Sequence, residues 1–257
     1  MCGARAPVPV CGVPGTLARV PVARMGAARR PVSRPVPAST IDRRGRYLSH
    51  TLPPGRPRES AMSDTERQLL ALLTDRSFKR AAPGELFTLA SGAKSEYFID
   101  GKMTAVSSDG AYLIGEVLYE WTKDLGIDAI GGLQVGAVPL VAAAVISYRL
   151  HGEPIEGFWV REEVKTHGTK KQIEGGLKPG MRVVIVDDVF TKGGSALKAA
   201  QAAKEFGCEV VLVLALVDRL QGARALFRAN GIDNYDRVFT IRQFGIDVPD
   251  DAETVAG

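Results

Sequence analysis

The chain has 257 residues, of which 45% are apolar and 24% charged. That is ordinary for one globular α/β domain with an extension, or for two small domains. Its formal charge of +4 is unevenly spread: residues 1–61 hold eleven Arg against Asp42 and Glu59, a net of +9, which leaves −5 for the rest. The basic balance therefore belongs to the N-terminal stretch, and it removes the case for a nucleic-acid-binding domain. No apolar run reaches the roughly 20 residues a membrane span needs. Cys2, Cys11 and Cys208 make neither a disulfide framework nor a zinc spacing, which points to a reducing, cytoplasmic setting.

Residues 1–61 are rich in Pro, Arg, Ala and Gly without a sustained period. Disorder is expected there, because repeated Pro blocks helix and few large apolar groups can be buried. The stretch reads as a leader, or as sequence upstream of a start at Met62. An organellar transit peptide is the alternative.

Ordered sequence is expected from Ser63 onward, as one domain over residues 62–257. Ser63-Asp64-Thr65-Glu66 caps a first helix with a Leu-rich face. Leu86–Leu89 and Glu96–Asp100 read as short strands around a Ser91-Gly92 turn. A helix follows Ser107-Ser108-Asp109, with apolar residues at three- and four-residue steps up to Leu125, and Gly126 closes it. Strands and helices then alternate. The strands are 129–133, 155–160, 182–186, 210–217 and 237–241, and the helices are 138–150, 195–206 and 222–229. Several strands are continuous apolar runs, as a parallel sheet covered on both faces requires. The fold class predicted is a doubly wound, mostly parallel α/β sheet. Ligands of such sheets bind outside the carboxyl ends of the strands, here the loops after residues 133, 160, 186 and 217.

The strongest chemical signal follows the strand ending at Val186: Asp187-Asp188-Val189-Phe190-Thr191-Lys192-Gly193-Gly194-Ser195, then a helix. The two glycines allow close backbone approach to an anion, Thr191 and Ser195 offer hydroxyls, and the helix N-terminus adds free N–H groups. A Walker A loop has no acidic pair at its start. Adjacent acids beside a phosphate cradle suit a sugar phosphate with cis hydroxyls and a bound Mg²⁺.

The run Val183–Ser195 resembles the motif by which type I phosphoribosyltransferases bind 5-phosphoribosyl 1-diphosphate (PRPP). The resemblance implies that Asp187 and Asp188 take the ribose hydroxyls and Thr191–Ser195 the 5-phosphate. It also implies Mg²⁺ held mainly by PRPP itself, with Asp187 or Asp188 as the protein's contribution.

Other segments narrow the family. Arg161-Glu162-Glu163-Val164-Lys165-Thr166-His167-Gly168 resembles the catalytic loop of orotate phosphoribosyltransferases at Arg161, Lys165 and His167, with Glu162 in place of a frequent Lys. In that family the loop reaches a partner's site, which implies a homodimer. Leu89–Asp100 resembles the segment that hoods the pyrimidine, within a hood of about residues 84–104, and implies contacts from Lys94 and Phe98. Gly131–Leu140 is similar to a diphosphate-binding loop. Val217-Asp218-Arg219 resembles the segment that sets an Arg on the orotate carboxylate, and Thr191 joins the orotate contacts. The activity implied is transfer of phosphoribosyl from PRPP to orotate, giving orotidine 5′-monophosphate in pyrimidine biosynthesis. An adenine- or uracil-type salvage enzyme would lack the Arg219 and Lys165/His167 features. A PRPP-sensing regulator would carry a DNA-binding winged helix, and the sequence shows none.

Overall fold

The computed structural model describes residues 62–88, 92, 94–162 and 172–249. The first helix, α1 (Asp64–Arg76), opens with a capping box. Ser63 Oγ accepts from Glu66 N at 3.1 Å, and Ser63 N donates to Glu66 Oε2 at 2.7 Å, so two otherwise orphaned helix donors are satisfied. The other oxygen of Glu66 accepts from Trp121 Nε1 at 2.9 Å. One acid thus caps α1 and pins it to a later helix.

Four short strands follow: β1 (Phe78–Arg80), β2 (Phe87–Thr88), β3 (Lys94–Ser95) and β4 (Tyr97–Ile99). β1 pairs antiparallel with β4, and β2 with β3, so these pieces form two small ribbons apart from the main sheet. β1 is a strand the sequence pattern does not reveal. Three residues carry no usable period, and pairing with Tyr97–Ile99 creates it. Two helices come next, α2 (Gly101–Ala105) and α3 (Ser108–Thr122). Ser107 Oγ caps α3 by accepting from Gly110 N at 3.2 Å. A 3₁₀ turn and Gly126 in the left-handed region (φ 60°) end this segment.

The remaining elements are β5 (Ala129–Leu133), α4 (Ala137–Leu150), β6 (Glu156–Val160), β7 (Ile173–Gly175), β8 (Arg182–Phe190), α5 (Gly194–Glu205), β9 (Glu209–Asp218), α6 (Ala223–Ala229) and β10 (Tyr235–Thr240). They build a six-stranded sheet in the order β10-β9-β8-β5-β6-β7, parallel except for β7. This is the expected doubly wound arrangement. Residues 184, 186, 212, 214 and 216 belong to one apolar cluster with α1, α3 and α4, while 183, 185, 213 and 215 belong to another with α5 and α6. The period-2 split across two covered faces is why these strands read as unbroken apolar runs.

Two differences from the sequence expectation matter. β8 continues through Asp187 and Asp188 to Phe190 rather than ending at Val186. Parallel pairing with β9, from Arg182↔Glu209 to Phe190↔Asp218, supplies backbone partners that outweigh the weak strand preference of Asp. Likewise, Ile173–Gly175 forms the antiparallel edge strand β7 against Phe158–Val160, an element absent from the strands expected from the sequence.

Candidate functional site

The acids that open the phosphate motif are nearly buried, Asp187 at 7% and Asp188 at 9% exposure. Asp188 N donates to Asp187 Oδ1 at 3.1 Å and Val189 N to Asp188 Oδ1 at 3.0 Å, which fixes both carboxylates. Burial pushes the Asp187 carboxyl well above its ordinary range, and the neighbouring Asp188 pushes it further. Burial also raises Asp188, with Lys102 opposing. Lys102 Nζ lies 2.6 Å from Asp100 Oδ1 and 4.0 Å from Asp188 Oδ2. Burial weakens its positive charge, but the bond to Asp100 and the field of Asp188 outweigh this and raise its pKa. Sequence reasoning missed Lys102. It stands on α2, and nothing local marks it as facing an acid 86 residues away.

Backbone packs closely around the pair. A Cβ on Gly136, at the start of α4, would lie 2.8 Å from Asp188 Oδ1, and one on Gly101 would lie 2.7 Å from Asp188 Cβ. The predicted diphosphate loop and the start of α2 thus both abut the acids.

Past the acids, Phe190 turns into the core, wholly buried against Phe227 with ring centroids 5.1 Å apart. Its part in any ligand site would come through its backbone, and half-buried Val189 packs on the other core cluster. Gly193 takes φ 77°, and a Cβ there would meet Phe227 Cζ at 2.7 Å, so both conformation and space demand glycine. α5 then begins at Gly194 with no side-chain cap, and a Cβ at Gly194 would meet nothing within 4 Å. Its first N–H groups, with exposed Ser195 and Lys192 and half-buried Thr191, form an anion cradle open to solvent.

Arg219 follows β9 and is 4% exposed. Its backbone N–H donates to Phe190 O at 2.9 Å. Arg219 Nε donates to Tyr97 Oη and an Nη to Ser95 Oγ, each at 3.2 Å, and Cζ sits 4.5 Å from the Tyr97 ring centroid. These side-chain bonds use two of the five guanidinium donors. The small ribbons are therefore joined to the sheet edge through Arg219, and Tyr97 and Ser95 are partners that sequence reasoning did not name. Lys94 and Phe98 lie on the same ribbons: exposed Lys94 donates to Thr88 Oγ1 at 2.7 Å, and Phe98 is 6.0 Å from Phe87, ring to ring.

Arg161, just past β6, donates an Nη to Glu174 Oε1 on β7 at 2.7 Å, and its N–H donates to Gln172 O at 2.8 Å. These bonds clamp the two ends of the segment between them. Lys165 and His167 lie outside the described residues. Glu162, beside Arg161, is exposed.

Among the described residues no group of three or more His, Cys, Asp and Glu could hold a metal ion. No described helix is long and apolar enough to cross a membrane.

A mostly parallel sheet with an acid pair and an uncapped helix N-terminus at its carboxyl edge suits a sugar phosphate, and residues 110–252 match the family model of the phosphoribosyl transferase domain. The chain is 44% identical over 170 residues to an orotate phosphoribosyltransferase of Aquifex aeolicus, covering 66% of this chain and 93% of that protein. It is 46% identical over 174 residues to one of Bradyrhizobium diazoefficiens, covering 66% and 91%. The Mycobacterium tuberculosis orotate phosphoribosyltransferase, solved in complex with Fe(III) dicitrate, superimposes with a TM-score of 0.61 at 34% identity, over 71% of this chain and 99% of that one. The same enzyme in complex with PRPP gives 0.59 at 32%, with the same coverage. The chain belongs to the orotate phosphoribosyltransferase family.

Proposed function

We propose that the protein transfers the 5-phosphoribosyl group of PRPP to N1 of orotate, releasing diphosphate and giving orotidine 5′-monophosphate for pyrimidine biosynthesis. The observation that carries this reading is the bond from Arg219 N to Phe190 O. It holds an anion-reading guanidinium beside the end of the strand that carries the acid pair, under a roof made by Ser95 and Tyr97.

Asp187 and Asp188 accept the 2′- and 3′-hydroxyls of the ribose. The 5-phosphate sits on the N–H groups of α5 with Thr191, Lys192, Gly193, Gly194 and Ser195 around it. The 134–136 loop abuts the acids and suits the diphosphate. Remaining Arg219 donors take the orotate carboxylate in a fork that uracil cannot fill. Phe98, Thr191 and Lys94 complete the base side. As N1 bonds to C1 of the ribose, the bond from C1 to diphosphate breaks and negative charge grows on the leaving group. Arg161, Lys165 and His167 stabilise that charge.

Two buried carboxylates held above their ordinary pKa fit a divalent cation, provided the diphosphate supplies most of its ligands. Bound there, Mg²⁺ neutralises charge on the diphosphate. Lys102 serves the same pair by keeping Asp188 oriented and partly neutralised.

The functional unit is a homodimer. The exposed face of α4 is largely apolar, Arg149 apart. Ile146 and Leu150 are 61% and 74% exposed, and Val135 just before the helix is 69% exposed. Large apolar side chains exposed together on one face are normally covered, and a second copy would cover this one. The protein works in the cytoplasm as the domain over residues 62–257, with 1–61 as a dispensable extension.

One assay tests the activity. Purified protein with PRPP, Mg²⁺ and orotate should consume orotate absorbance, with uracil and adenine inert; turnover with either of these and none with orotate would refute the reading. Lys165→Ala should lower kcat by about 100-fold or more with the fold intact. Light scattering should give twice the chain mass, and Ile146→Glu should reduce it.

A further inference from the structure

The turn that presents Arg219 is strained and supported from beneath. Leu220 has φ 56° and is the one non-glycine residue with positive φ among those described. A branched side chain reaches that region only where its surroundings impose it. Here the imposing group is Asp218. Its side chain is wholly buried, and Oδ1 accepts from Leu220 N at 2.8 Å. The second oxygen, Oδ2, lies 3.6 Å from an Nη of Arg237. Arg237 stands on β10, is itself 9% exposed, and is also bonded through that Nη to Tyr235 Oη at 3.4 Å. A wholly buried carboxyl group needs polar or cationic partners to stay fixed in place. Arg237, Asp218 and the Leu220 amide therefore form a relay that ends one residue from the guanidinium held by Ser95 and Tyr97.

We propose that Arg237 is a positioning residue for base specificity. It touches no substrate, but through Asp218 it holds the 219–220 turn so that Arg219 faces the base pocket. The motif Asp218-Arg219 thus divides its work: the Asp anchors the turn and the Arg reads the ligand. This rests on the reading of Arg219 as the contact for the orotate carboxylate.

The test uses the full chain with Mg²⁺ and PRPP. Arg237→Met should raise the orotate KM by about five- to twentyfold, with kcat and the PRPP KM within about twofold. Arg237→Lys, which retains the charge, should recover most of the loss. In an Arg219→Ala background Arg237→Met should add less than about twofold, because both act through one contact. Hydrogen exchange at the Leu220 amide should quicken by about tenfold or more in Arg237→Met. If Arg237→Met fails to fold, Arg237→Gln carries the same expectations. Unchanged Leu220 exchange together with an unchanged orotate KM overturns the proposal, as does an equal rise in the KM of both substrates. Faster Leu220 exchange with an orotate KM that neither Arg237→Met nor Arg219→Ala moves leaves the relay standing. It overturns instead the role of Arg219 at the base.

Discussion

The two ends of the site are built in opposite ways. The phosphate end is one continuous run, Asp187 to Ser195, in which strand, acids, glycines and helix follow one another within nine residues. The base end joins Ser95 and Tyr97 to Arg219, more than 120 residues away. They also differ in electrostatics. The acid pair is buried beyond what its neighbours compensate, so its carboxyls are raised. Arg219 is held in advance by a ring and two hydroxyls. One end is left under-satisfied by its protein neighbours, whereas the other is preorganised.

The largest expected effect breaks the first half of that contrast. Asp188→Asn should lower kcat/KM for PRPP by about 100-fold or more, since hydrogen bonds from hydroxyls to a fixed carboxylate are lost. The same change should leave the fold as stable or more so, because a poorly compensated buried charge is removed. Urea denaturation beside steady-state kinetics checks both. A destabilised variant would show that the pair is structural.

Gly193→Ala ranks next. The added methyl meets Phe227 in a left-handed backbone, and a loss of about 1–3 kcal/mol is expected, with weaker PRPP binding. Gly194→Ala, in open space one residue on, should leave stability within about 0.5 kcal/mol of the parent. On the base end Tyr97→Phe keeps the ring over the guanidinium but removes the hydroxyl. The orotate KM should rise by about three- to tenfold and the PRPP KM by less than about twofold.

The smallest effect is on pH dependence. Both acids have folded pKa values above the ordinary 3.8, so between 3.8 and those raised values the folded state binds more protons than the unfolded one. Stability of the ligand-free protein should therefore fall as pH rises through that window and level off above it. Asp188→Asn should flatten the slope. A stability that rises across this window in the parent would mean that Lys102 compensates the pair fully.

Much of the fold was legible because its signals are local. Ser63-Asp64-Thr65-Glu66 carries a capping box in four residues, Ala129–Leu133 is bounded by turn chemistry, and Gly207 takes the positive φ that stops α5. The errors fell where a partner supplies the structure. Phe78–Arg80 and Ile173–Gly175 are too short to show a period and become strands only by pairing. Asp187-Asp188 reads as lying past the end of the strand because Asp disfavours strands, but β9 holds it in one.

By itself the sequence determined the glycine turn that opens α5 and most strands and helices from β5 to β10, because each depends on neighbours within one turn or one strand, whereas the reading of Arg219 rests on a family resemblance. Only the tertiary structure decided that Lys102 faces Asp188, that Ser95 and Tyr97 hold Arg219, and that Arg237 underpins its turn. Those pairings span 19 to 124 residues, and one exception shows the limit from both sides. Asp218 and Leu220 are two residues apart, but the bond between them acquires its meaning from a buried arginine on the next strand.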